Sequence, residues 1–303
     1  MNCVSLYSGA DNLGDGFIQA GHEIILCVEK DDDCCKTIKL NHPDIEVING
    51  LVSEVLSTLP KVDCVIGGPP CPEFSRANMA RTFNLCEVNN FRKAIEITKA
   101  KHHFMENVQD LFKVHKERNF LVNCADYGVP QIRIRRIFTD LPLPKPTHTN
   151  YVTEDLFGNK LMPWVTVREA LNLDGYLVDC KYQHYQRKSG VNSTNIPSKT
   201  IDTQSRELFM EDRKTVFGDY PNKENGNEFR KYSIDRPSHT LVVDAREFFN
   251  GRPLTNEELA ILQGFRKDFK FYGSKSSVKK QIGNALPAVI SKSFSKSIFN
   301  HIT

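Results

Sequence analysis

Several features are missing from this 303-residue chain, and each absence closes off a class of protein. No stretch approaches the roughly eighteen apolar residues that a membrane-spanning helix needs, so no membrane span is expected. The start, MNCVSLYSGADNLGDG, has no basic segment followed by an apolar core, so no secretory leader is expected. No two cysteines are spaced as CxxC, which removes the usual frame of a structural zinc site, and no metal is expected. The nine cysteines (3, 27, 34, 35, 64, 71, 86, 124 and 180) are odd in number and lack the spacing of a disulfide framework. They suit free thiols in a reducing cytosol, so a cytoplasmic protein is expected. There is no internal repeat and no low-complexity tract.

What remains is an ordinary globular composition, 40% hydrophobic and 25% charged, long enough for one large or two ordinary domains. The net charge of +3 is unevenly spread. Residues 1–140 carry −3, residues 141–240 carry +1 and residues 241–303 carry +5. A basic C-terminal part beside an acidic first half is compatible with one face meeting phosphate.

The first 140 residues alternate between strand and helix patterns. Short apolar runs at Val4–Tyr7, Ile24–Val28, Ile45–Ile48 and Val62–Ile66 read as buried parallel strands, with a further strand at His103–Met105 and two more at Phe120–Cys124 and Ile134–Thr139. Helical stretches at Asp31–Leu40, Val52–Leu56 and Val88–Lys99 lie between them. This alternation predicts a doubly wound α/β sheet. LPLPKPTHTN (141–150) reads as a linker, and residues 151–237 show no clean periodicity but several turn signals, at Phe157-Gly158-Asn159, Ser189-Gly190 and Asn225-Gly226. Regular structure returns after Thr240, with helices expected at Thr255–Gln263 and from Leu286 onward. The resulting division is 1–145, 146–237 and 238–303, the last segment returning to the first.

Two turns carry chemistry. Val4–Tyr7 runs into SGADNLGDG, a strand entering a glycine-bearing turn and then a helix, where backbone N–H groups can approach a ligand. Glu29, at the end of the next strand, is placed to accept hydrogen bonds from both ribose hydroxyls of a nucleoside-like cofactor; NAD would fit this pattern equally well. Further on, GGPPCPEFS (67–75) follows the Val62–Ile66 strand and sets Cys71 in a rigid turn at the sheet's carboxyl edge. Glu106 ends a neighbouring strand, and Arg133 and Arg135, two residues apart, fall on one face of a strand.

Six segments in order, YSGADNLGDGF, GGPPCPEFS, ENV, QIRIR, RPLTNEELAILQGF and QIGNALP, resemble the cytosine-C5 DNA methyltransferases and span nearly the whole chain outside 141–237. The resemblance implies a Rossmann-like S-adenosylmethionine-dependent methyltransferase sheet with a small irregular target-recognition domain inserted. It implies that Cys71 adds to carbon 6 of cytosine, turning the ring into an enamine whose carbon 5 can take the methyl group. Glu106 would protonate ring N3, Arg135 would hold O2, and Arg133 would touch a backbone phosphate or the same pocket. The cytosine must first be flipped out of double-stranded DNA.

For S-adenosylmethionine, the resemblance implies a site of Tyr7, Ser8, Gly9, Ala10, Asp11, Asn12, Leu13, Glu29, Lys30, Gly50, Leu51, Gly68, Pro70, Asn284 and Ala285. Tyr7 would lie against the adenine, Glu29 on the ribose and Asn284 over the far end. This chain departs from the family pattern at several points. Asp11 and Asn12 replace glycines of the first turn, Lys30 replaces an aromatic, Pro72 replaces a glutamine, and Asn49-Gly50-Leu51 lacks the acid that meets the adenine amine. Asp11 could then hold the cofactor's ammonium group. A monomer is expected, alongside a restriction endonuclease acting separately. An enzyme acting on tRNA and a weakened DNA-binding homologue are the alternatives; the CFT-type motif of the tRNA branch is not found.

Overall fold

The computed structural model describes the chain outside residues 71–84, 114, 151–160, 173–175, 182–205, 211–227, 234–237, 240–244, 250–251 and 298–303, and between 173 and 253 it describes the backbone of six strands alone. Cys71 and the turn signals at 157–159, 189–190 and 225–226 lie outside the described residues.

The centre is a seven-stranded sheet. Its strands are β1 (Asn2–Leu6), β2 (Glu23–Glu29), β3 (Glu46–Asn49), β4 (Cys64–Gly67), β5 (His102–Asn107), β6 (Asn119–Asn123) and β8 (Ile134–Thr139), in the order β3-β2-β1-β4-β5-β8-β6. The pairings from β3 to β5 are parallel, and β8 runs antiparallel between β5 and β6. The apolar runs of β1 and β4 are buried almost throughout, as strands covered on both faces must be. The strand order turns back between β1 and β4, so the carboxyl ends there open the crevice in which such sheets bind ligands.

Helices cover both faces. On one side α1 (Asn12–Gln19) and α8 (Ala288–Ser297) pack together, and Phe17, Phe104 and Phe294 stack edge to face at 5.8 and 5.4 Å between ring centroids. On the other side α3 (Val52–Val55) and α4 (Cys86–Thr98) place Val52, Val88, Phe91 and Ala94 against Val4, Val28, Val65 and Met105. The helix α2 (Asp32–Asn41) is capped by Asp31, whose carboxylate accepts the N–H groups of Asp33 and Cys34. A third cluster joins α5 (Val167–Leu171), α6 (Asn256–Leu262) and α7 (Lys275–Asn284) through Val167, Leu259, Leu262, Phe265 and Ile282.

Three features differ from the sequence reading. The strand expected to carry both arginines is interrupted at Arg133: β7 (Gln131–Ile132) pairs with β14 (Ser238–His239), and the main-sheet strand starts at Ile134. A helix over Lys275–Asn284 was not expected, because KSSVKKQIGN is too polar to show a wide apolar stripe. The middle region, read without regular elements, holds a five-stranded sheet of β11 (Tyr176–Lys181), β12 (Arg206–Met210), β13 (Glu228–Ser233), β15 (Ala245–Phe249) and β16 (Arg252–Pro253), in the order β13-β11-β12-β15-β16. That sheet continues past residue 237, whereas Val167–Leu171 packs with the helices beside the main sheet. The short pair β9 (His148–Thr149) and β10 (Met162–Pro163) lies in the chain between β8 and α5.

Candidate active site

At the β5 and β8 end of the carboxyl edge, Glu106 and Arg135 meet. Arg135 Nε lies 2.9 Å from Glu106 Oε1, and both side chains are largely buried. The second carboxylate oxygen, Oε2, faces Gly68, where an added Cβ would lie 3.3 Å away. Gly68 opens the turn that runs through Pro69 and Pro70 to Cys71. Asn107 fixes that turn by donating from Nδ2 to the Pro69 carbonyl at 2.9 Å, with the Asn107 side chain itself buried. Gly67 is required for a different reason: a Cβ there would meet the Leu6 carbonyl of β1 at 2.1 Å. The small residues before the cysteine therefore let β1 and β4 close together and leave room at the Glu106 carboxylate.

Arg133 takes a different course from Arg135. It is 1% exposed and donates from Nη2 to the Gly283 carbonyl at 3.0 Å. Burial and the like charge of Arg135 press against its ionisation, while Glu106 opposes them. This contact ties the segment before β8 to α7. Gln131 and Gln263, which the sequence reading passed over, complete the tie. Gln131 Nε2 reaches Gln263 Oε1 at 2.8 Å, and Gln263 Nε2 reaches the Ala285 carbonyl at 2.6 Å.

At the β1 and β2 end the chain makes a turn with left-handed backbone at Tyr7, Gly9 and Asp11 (φ of 53°, 55° and 56°). Glu29 spans the turn: Oε2 accepts the Gly9 N–H at 2.8 Å and Oε1 accepts the Asp31 N–H at 2.9 Å. Among the described residues, chain neighbours aside, no atom lies within 4 Å of where a Gly9 Cβ would be, so they leave the space above the turn open. Gly50 donates to the Glu29 carbonyl at 3.0 Å, and Leu51 beside it is 45% exposed. Half-buried Glu29, open Gly9 and exposed Leu51 form a cradle with a carboxylate and an apolar wall, a donor and acceptor set that fits an adenosine. Lys30 is exposed at the end of β2, and Asn284 is exposed at the end of α7.

Asp11 and Asn12 point the other way. Asp11 is 1% exposed, accepting from Ser5 Oγ at 2.6 Å and from Cys27 Sγ at 3.4 Å. Burial pushes its carboxyl up to about 6. The carboxylate fills the space under Gly14, where a Cβ would clash with it, and its partners are interior ones. Asn12 donates to the Leu286 carbonyl at 2.9 Å, bringing the Asn284-Ala285 segment beside the turn. Ala10 and Leu13 are likewise buried. The residues that replaced glycine serve the interior.

Residues 1–122 and 119–300 match the family model of the C-5 cytosine-specific DNA methylases. The chain belongs to this family. The Type II methyltransferase M1.HphI of Haemophilus parahaemolyticus is 30% identical, with 97% of this chain and 86% of that protein covered. M.HindV of Haemophilus influenzae is 28% identical, with 99% and 97% covered. Among solved structures, one described as a DNA modification methyltransferase encoded within an Escherichia coli prophage superposes with a TM-score of 0.65 at 23% identity, covering 100% of this chain and 99% of that one. A DNMT2 of Spodoptera frugiperda gives 0.59 at 14% identity, with 98% and 99% covered. The fold of this methylase is thus that of the S-adenosylmethionine-dependent DNA methyltransferases. Among its described residues no helix is long and apolar enough to cross a membrane, and no cluster of side chains could hold a metal ion.

Proposed function

We propose that this methylase modifies carbon 5 of cytosine in double-stranded DNA through Cys71, Glu106 and Arg135. The observation that carries the assignment is the Glu106–Arg135 pair at 2.9 Å, with the free carboxylate oxygen turned to the glycine that opens the cysteine turn. Carbon 5 of cytosine is a weak nucleophile, so it needs activation. The Cys71 thiolate adds to carbon 6 of the flipped base, and the electron pair of the 5,6 double bond becomes available at carbon 5. Glu106 delivers a proton to N3 and offsets the charge that develops there. Arg135 holds that carboxylate in place and presents its remaining donors to O2 of the base. S-adenosylmethionine, when bound, supplies the electrophilic methyl group. After transfer, loss of the carbon 5 proton to a base such as water expels Cys71 as thiolate, and N3 returns its proton to Glu106, restoring the aromatic ring.

Glu29 is the residue to hold the ribose hydroxyls, since each of its oxygens keeps a lone pair beyond the backbone N–H it already accepts. Tyr7 lies against the adenine, with Gly50 and Leu51 on its other side. Ser8, Gly9, Ala10, Asn12 and Leu13 contribute backbone rather than side chains, and Asn284 and Ala285 close the far end. The sheet of residues 176–253 is the element that reads the neighbouring bases, with α5 belonging to the catalytic part. The protein acts as a monomer, with any restriction endonuclease a separate chain. DNA carrying 5-fluorocytosine tests the assignment, because fluorine blocks the final elimination. A covalent adduct that forms with the parent and is lost in Cys71→Ala supports it; an adduct that survives Cys71→Ala overturns it.

A further inference from the structure

One strained residue at the cofactor turn has an anchor that neither the sheet nor the methyl-transfer chemistry requires. Tyr7 leaves β1 with φ of 53°, a region that bulky side chains enter only where their surroundings hold them. Its hydroxyl donates to Glu87 Oε2 at 2.7 Å and lies 3.2 Å from the Glu87 carbonyl, eighty residues away in the chain. Glu87 stands in the first turn of α4, where a carboxylate is favoured by the helix dipole. Asn90, nearly one turn on, donates to the same oxygen at 3.4 Å. Burial and the adjacent Glu87 carboxylate hold the phenol in its protonated, donating form. The rest of the ring packs with the core cluster on the α4 face.

We propose that the Tyr7–Glu87 hydrogen bond is a positioning device for the cofactor: an anchor on α4 keeps the strained Tyr7 ring seated at the turn, so that the adenine meets a fixed wall. This rests on the assignment of Tyr7 to the adenine. Among the described residues Tyr7 and Glu87 bond to each other and to Asn90, and not to Glu106 or Arg135, so the device is expected to act on cofactor binding. Glutamine at position 87 keeps an acceptor oxygen and so keeps the anchor; alanine removes it.

Calorimetric titration with S-adenosylhomocysteine, on the full chain, tests this. Tyr7→Phe and Glu87→Ala should each weaken binding about fivefold, the loss of one hydrogen bond. Glu87→Gln should stay within about twofold of the parent, since its acceptor is kept. The double variant Tyr7→Phe/Glu87→Ala should be no weaker than either single one, because both remove the same bond. In methyl transfer, KM for S-adenosylmethionine should rise with kcat and the KM for DNA unchanged, a split that a general loss of structure would not produce. Parent-like binding by Tyr7→Phe, or losses that multiply in the double variant, would overturn the proposal. Should Glu87→Ala fail to fold, Tyr7→Phe against Glu87→Gln decides alone: weak against normal supports the anchor, and normal for both overturns it. A parent that does not bind S-adenosylhomocysteine at all would overturn the cofactor assignment itself and this inference with it.

Discussion

The two ends of the sheet's carboxyl edge use their polar groups in opposite ways. At the β5 and β8 end, Glu106 and Arg135 hold each other and leave one carboxylate oxygen facing Gly68. At the β1 and β2 end, Asp11 and Asn12 turn inward, onto Ser5, Cys27 and the Leu286 carbonyl. Glu106 keeps an oxygen available beside Gly68, whereas the side chains of Asp11 and Asn12, which replace glycines, are taken up by the fold. A polar substitution in a binding turn is therefore not by itself a new ligand contact.

The largest break in that contrast is at the nucleophile. Cys71→Ser is expected to lose measurable turnover while still binding S-adenosylhomocysteine, checked by single-turnover assay and calorimetry, because a hydroxyl is far less ionised than a thiol at neutral pH. Next, Glu106→Gln should slow methyl transfer by about 10²- to 10⁴-fold with cofactor affinity intact, the size of a general-acid contribution. Near-normal rates would mean that N3 is protonated from elsewhere. Exchanging residues 173–253 for the matching block of a relative should move the methylated sequence, read by bisulfite sequencing. An active chimera that keeps its original site would remove the recognition role from that sheet.

The smallest effect is expected at Asp11. Its folded-state carboxyl is raised from 3.8 to about 6, so the ionised form is disfavoured by folding. Stability linked to this group is fully present below its unfolded value and is lost as pH rises through about 6, by on the order of 3 kcal/mol. Asp11→Asn keeps an acceptor for Ser5 and cannot ionise. Its unfolding free energy relative to the parent should increase between pH 4 and pH 7. A difference independent of pH would show that Asp11 does not titrate there. Asp11→Gly should leave cofactor affinity within about twofold, because no ammonium contact is lost; a larger loss would return Asp11 to the binding site.

Much of this was legible in the sequence because local patterns specified it. The apolar runs marked all seven strands of the main sheet, and the spacing of ENV and QIRIR brought Glu106 and Arg135 to one edge. What was not legible depended on contacts between distant segments. Arg133 and Arg135 look equivalent two residues apart, yet the break in the strand at Arg133 and the approach of Gly283 separate them. The second sheet escaped notice because its strands, such as YLVDCK and EFRKYS, mix apolar and charged residues without strict alternation. Asn107, Gln131 and Gln263 lie inside the matched segments, yet their partners, like that of Glu87, are not legible in the sequence, since each acts on a backbone or side chain distant in the chain.

The central claim, that this chain methylates carbon 5 of cytosine in duplex DNA, is tested most directly by transfer of a labelled methyl group from S-adenosylmethionine to duplex DNA, followed by digestion to nucleosides. Label is expected in 5-methylcytosine and is expected to be lost in Cys71→Ser. Label in another nucleoside, label in tRNA but not in DNA, or transfer that persists without Cys71 would contradict it.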